Sequence, residues 1–151
     1  MQYGLFDAYI ANSAFGKGGF ATGLILPNGQ PKATFYSYRL PIFLPVTHAA
    51  PGEPLEVWGC ARPAPYAYRD THRTQYVSVQ FRRPSSRSFH TVKKVRLTAA
   101  GGCYFDVDVK FPASGTVRLQ WSYPRGDPRL LDPVTKGQTT IQSRQVEITI
   151  H

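Results

Sequence analysis

From Leu55 to its last residue the chain repeats one pattern, apolar and polar side chains alternating at every second position in short runs bounded by Pro, Gly and Ser. That period suits a strand half-buried on one face, because successive side chains of a strand point to opposite sides. The clearest run is Cys103 to Phe111, with Cys103, Phe105, Val107, Val109 and Phe111 on one face and Tyr104, Asp106, Asp108 and Lys110 on the other. Comparable runs cover Leu55–Cys60, Thr74–Arg83, Phe89–Thr98, Thr116–Tyr123 and Gln145–Ile150. Gly and Pro, 13 of each among 151 residues, weaken helix interiors, whereas nine Tyr and nine Phe suit strands. Six strands joined by Pro/Gly/Ser turns, with no amphipathic helix read between them, predict an all-β antiparallel sandwich, a small barrel being the competing closure.

Residues 1–46 read differently. An apolar start from Tyr3 to Ile10 leads into a Gly-rich stretch, and Asn28-Gly29 then suits a tight turn, since both residues tolerate positive φ. Lys32 to Leu40 is predicted as a short helix between Pro31, a helix starter, and Pro41, a stop. Residues 41–45 read as a connector and 47–54 as a boundary. The chain thus divides into an N-terminal arm over 1–46, containing the short helix, and a sandwich over 53–151. Residues 124–138 read as a surface loop. A length of 151 residues is too short for a complete (β/α)₈ barrel. No run approaches the roughly 18 to 20 apolar residues that span a bilayer, so no membrane partner is expected. Nor do the first residues open like a signal peptide. Either the chain stays inside the cell, or it is a piece of something longer.

Gln2-Tyr3-Gly4-Leu5-Phe6-Asp7, Thr22-Gly23-Leu24, Asn28-Gly29-Gln30-Pro31-Lys32 and Tyr36-Ser37-Tyr38-Arg39-Leu40-Pro41 resemble the end of a (β/α)₈ glycoside hydrolase barrel of secreted bacterial type, with Ala33 in place of the usual second proline. Leu55-Glu56-Val57-Trp58-Gly59 and Gly102-Cys103-Tyr104-Phe105 resemble the immunoglobulin-like sandwich that follows such barrels. The resemblance implies an immunoglobulin-like β-sandwich for 53–151 and an extracellular parent protein. It also implies that the catalytic carboxylates, which stand on earlier barrel strands, would precede Met1. Asp7 is the one candidate catalytic acid, and it lacks the opposed carboxylate that glycosidic cleavage requires. Its plainer reading is a solvated or capping acid.

Other chemistry is sparse. Cys60 and Cys103, 43 positions apart in two predicted strands, are read either as a disulfide or as two buried thiols, and inward placement of Cys60 calls for a bulge near Gly59. His48, His72, His90 and His151 show no metal-ligand spacing, so neither a metal nor a cofactor is expected. The chain lacks a Gly-x-Ser-x-Gly elbow, and Gly16-Lys17-Gly18-Gly19 lacks the spacing of a phosphate-binding loop. Arg125-Gly126-Asp127 reads as a chance tripeptide. The charge of +9 is more informative. Lys93, Lys94 and Arg96 crowd one strand, Arg82 and Arg83 end another, and Arg62, Arg69 and Arg73 flank Tyr66-Ala67-Tyr68. Such a surface suits an anionic polymer or nucleic acid, or simply guards strand edges and keeps the protein soluble. Tyr66, Tyr68, Tyr76 and Tyr104 are expected to point outward, where they would stack on sugar rings or pack on Arg stems.

The expectation is therefore a noncatalytic accessory module of a glycoside hydrolase-like protein, binding polysaccharide through Tyr66, Tyr68, Tyr76 and Tyr104. Its alternatives are a small glycoside hydrolase with a site between arm and sandwich or between subunits, and a basic module for anionic polymer or nucleic acid. Leu5, Phe6, Leu40, Ile42 and Phe43 of the arm must fold back on the sandwich or meet another chain, so a homo-oligomer is weighed evenly against fold-back.

Overall fold

The computed structural model describes residues 30, 32–98, 102–128 and 139–151. Asp7, Leu5, Phe6, the 16–19 stretch, the Asn28-Gly29 turn and most of the 124–138 loop lie outside them.

Two sheets face each other across one core. The smaller runs β1 (Ile42–Phe43), β3 (Pro54–Cys60), β6 (Tyr104–Lys110) in space. The larger runs β2 (His48–Ala49), β9 (Val146–Ile150), β7 (Gly115–Ser122), β4 (Tyr76–Arg82), β5 (His90–Arg96), with β8 (Thr140–Gln142) also on β7. This bears out an all-β, sandwich-like architecture. Pairing is antiparallel except between β2 and β9, which run parallel and bring His48 opposite Thr149.

The inward phases are those read from the sequence. Leu55, Val57, Phe105 and Val109 of the smaller sheet meet Val77, Val79, Phe81, Val117, Leu119 and Trp121 of the larger, all buried. Gly115 is required where it stands, since a Cβ there would run into the Arg82 carbonyl oxygen and the Phe81 ring. The predicted short helix forms as α1 (Ala33–Arg39). Leu40 and Ile42, just beyond it, are 0% and 4% exposed within the sandwich core, so these arm residues fold back, whereas Phe43 stays exposed.

One helix was not expected. Tyr66-Ala67-Tyr68 lies in α2 (Ala64–Thr71), which leads from the smaller sheet to the larger. Pro63 starts it, Ala64 and Ala67 bury on one side, and His72 ends it at φ 53° with its N–H donating to the Tyr68 carbonyl. Cys60 and Cys103 form a disulfide, with Cα atoms 4.6 Å apart. The expected bulge near Gly59 is absent from this pair of strands, whose register runs unbroken from Pro54↔Lys110 to Cys60↔Tyr104. Cys60 keeps the phase of Trp58 and is buried at the strand's end, where its bond to Cys103 joins the neighbouring β6.

Candidate functional site

The two outer faces of the sandwich carry opposite charge. On the smaller sheet Glu56 stands opposite Asp108, and Trp58 opposite Asp106, so three carboxylates share a patch with the Trp58–Tyr104 ring pair. Repulsion from Asp106 raises the Glu56 pKa, with desolvation, a hydrogen bond to Asp106 and the charge of Asp108 adding to it. A carboxyl whose pKa is raised by folding binds its proton more tightly in the folded state, so its contribution favours folding in acid and is lost as pH rises through its titration. Asp106→Asn is expected to return the Glu56 titration toward the usual carboxylate range in a carboxyl-detected NMR experiment. A Glu56 titration unmoved by that substitution would refute the assigned cause.

The outer face of the larger sheet is basic. Alternation sends Tyr76, Ser78, Gln80 and Arg82 outward from β4, and the β4–β7 register sets Ser78 beside Gln120 and Gln80 beside Arg118. On the other side β5 brings Lys94 next to Ser78 and Arg96 next to Tyr76. Among the described strand residues of this face the acid is Glu147, whose Oε1 accepts from the Thr116 hydroxyl at 2.8 Å. Where α2 leads into β4, a cleft of about 340 Å³ opens between Arg73, Tyr76, Ser78, Lys94, Ser122 and Tyr123. The Lys94 ammonium lies 4.5 Å from the centre of the Tyr76 ring. Behind the cleft Gln75 is committed, its amide donating to the Arg73 carbonyl while its oxygen accepts from the Trp121 indole. No Asp or Glu is among the described lining residues.

The four tyrosines singled out in the sequence are exposed, at 41–55%, and do not line one common cleft. Tyr76 belongs to the basic cleft and Tyr104 to the acidic face. Tyr66 borders a second cleft with Tyr38 and Arg62 near Cys103, and Tyr68 a third with Leu97. All four histidines are described. The His48 and His151 rings are 6.4 Å apart, His72 meets Tyr68, and His90 meets Phe81. Among the described residues no group of three or more His, Cys, Asp or Glu is arranged to hold a metal ion. Arg118, Gln142 and Phe89 were not singled out as site residues from the sequence. The outward phase of Arg118 was visible, whereas its register against Gln80 was not.

No protein-family model matches the chain, and no curated protein matches its sequence. Solved structures do. Superoxide reductase (neelaredoxin) from Ignicoccus hospitalis is 12% identical, with 85% of this chain covering 95% of that one at a TM-score of 0.52. Two further structures of that protein give TM-scores of 0.52 and 0.50 at 11% and 12% identity, covering 89% and 74% of this chain and 99% and 79% of theirs. These likenesses correct the hydrolase reading. The matching sandwiches are superoxide reductases and not the tail of a glycoside hydrolase, so the accessory-module, polysaccharide-binding and small-hydrolase readings are withdrawn. The described residues thus fold like the superoxide reductases (neelaredoxins), and at 11–12% identity the likeness is one of fold.

Proposed function

We propose that this chain is a ligand-binding domain that takes a small anionic molecule, bearing a phosphate or carboxylate group, in the cleft where α2 meets the basic face. The observation that carries this reading is the convergence of Arg73 and Lys94 with Ser78 and Ser122 around one cleft that has no described acid in its lining. The volume falls within the range of small-molecule sites, and the Tyr76 and Tyr123 rings supply apolar wall. Two cations, two hydroxyls and two rings would hold an anionic head and the organic body attached to it.

A reductase activity like that named for the structural neighbours is not part of the proposal. Reducing superoxide to peroxide takes one electron from a redox centre together with two protons. Among the described residues the donor set does not fit a metal redox centre, because both cysteines are spent in the disulfide, His48 and His151 meet with no third donor grouped beside them, and His72 and His90 pack on Tyr68 and Phe81. The division into an arm over 1–46 and a sandwich over 53–151, the finer immunoglobulin-like description and an extracellular setting belong to the same proposal. The disulfide supports that setting, since such bonds persist in oxidising compartments.

Calorimetric titration with pyrophosphate and with citrate at low salt tests the cleft. Binding is expected to weaken with added salt, and roughly tenfold in Lys94→Gln or Arg73→Gln, the loss of one charge-assisted hydrogen bond. The reading fails if neither probe binds, or if both variants bind like the parent.

A further inference from the structure

Farther along β4 a second pair of cations is built around one ring. Phe89, half-buried between β4 and β5, has the Arg118 guanidinium 3.9 Å and the Arg82 guanidinium 4.9 Å from its centre. Register places them there, since β4 and β7 set Gln80 opposite Arg118 and Arg82 opposite Thr116. Arg118 is held on two sides, its Nε donating to Gln80 Oε1 at 2.8 Å and its Nη1 to Gln142 Oε1 at 2.9 Å. Arg82 is held less. Its Nη2 reaches Gln145 Oε1 at 3.5 Å, and its Nε is buried with no hydrogen-bond partner among the described residues.

This arrangement is electrostatically incomplete. Two like charges gathered over one ring repel, and a buried guanidinium N–H without an acceptor has lost its water in exchange for nothing. The Arg118 pKa is lowered accordingly, by burial first and by the charge of Arg82 second. Neutral amides, not carboxylates, brace the pair. Glu147, on β9 next to β7, stands across Thr116 from Arg82, and its Oε1 accepts from the Thr116 hydroxyl.

We propose that Arg82 and Arg118 form a clamp for a tetrahedral oxyanion, the phosphate or sulfate group of a monoester, seated above Phe89. An oxyanion would supply the negative charge that the pair lacks, and the outer Nη groups of the two guanidinium forks can meet its oxygens two at a time. Braced by Gln80 and Gln142, Arg118 is oriented before a ligand arrives, so little side-chain freedom is lost on binding. The clamp is distinct from the cleft, because Ser78 and Arg82 are separated along β4 by about 13 Å at the rise of a strand.

The test titrates the full chain at low salt with inorganic phosphate and, separately, inorganic sulfate, following the side-chain Nε–H resonances of Arg82 and Arg118 by NMR. Both resonances are expected to shift saturably. Arg82→Gln and Arg118→Gln should each weaken binding roughly tenfold, while Lys110→Gln, on the other sheet, leaves it unchanged. Tighter phosphate binding assigns a phosphate monoester, and tighter sulfate binding a sulfate ester. Should Arg118→Gln fail to fold, Arg82→Gln carries the comparison, since the hydrogen bond it breaks is one long contact to Gln145. Resonances unmoved by both anions, or variants that bind as the parent does, overturn the clamp.

Discussion

Replacing Cys60 and Cys103 together by alanine is expected to lower stability by about 4 kcal/mol, the loop-closure entropy that a bond across 43 residues removes from the unfolded chain. For a domain of this size that corresponds to a melting midpoint lower by roughly 10 °C. The bond does more than shorten the unfolded chain. It ties the end of β3 to the residue preceding β6, just where the chain turns through Ala61 into α2, and the Ala61 N–H donates to the Cys103 carbonyl beside it. Thermal melts of the double variant and of the parent under reducing conditions should coincide at the lowered midpoint. A double variant that melts with the parent would show that the smaller sheet holds without its staple.

The second large effect is expected at Trp121. Its side chain is 1% exposed in the middle of the larger sheet, meets Tyr123 edge-on at 4.5 Å and donates its indole N–H to Gln75 Oε1 at 3.1 Å. Trp121→Ala removes a large core side chain, which costs about 3–5 kcal/mol, and leaves the buried Gln75 oxygen without that donor. Urea denaturation should place Trp121→Ala well below Trp121→Phe, which fills most of the space and loses mainly the N–H. Equal losses in the two variants would mean that the hydrogen bond, not the volume, is what the core needs. Because Gln75 also backs the basic cleft, Trp121→Phe is expected to weaken pyrophosphate binding as well.

The long strands were legible because period-two alternation is a direct imprint of a face turned to the core. Cys103 to Phe111 shows it, with Phe105 and Val109 buried as the pattern required. β1, β2 and β8, of two or three residues, are too short to show any period. α2 escaped notice because Ala64 and Ala67 are its buried residues, it has no side-chain cap, and its prolines and tyrosines read as loop. The disulfide was left open since separation along the chain does not say whether two strand ends adjoin. The site was less accessible still. Arg82 and Arg118 lie 36 positions apart, and only the β4–β7 register brings them to one ring. The hydrolase resemblance rested on short motifs, those in residues 2–32 lying mostly outside the described residues and those at 36–41, 55–59 and 102–105 within them, whereas the matching solved structures align over most of the chain.

The opposite charges of the two broad faces also govern how the molecule travels. Among the described residues, cations on one side and Glu56, Asp106 and Asp108, offset in part by Lys110, on the other make an electric dipole across the thickness of the sandwich. Approaching any negative body, the protein experiences a torque before it touches, and it arrives with the larger sheet leading. The basic surface proposed to take the ligand is thus presented by long-range alignment, and encounter speed, like the binding itself, should fall as dissolved ions damp that field.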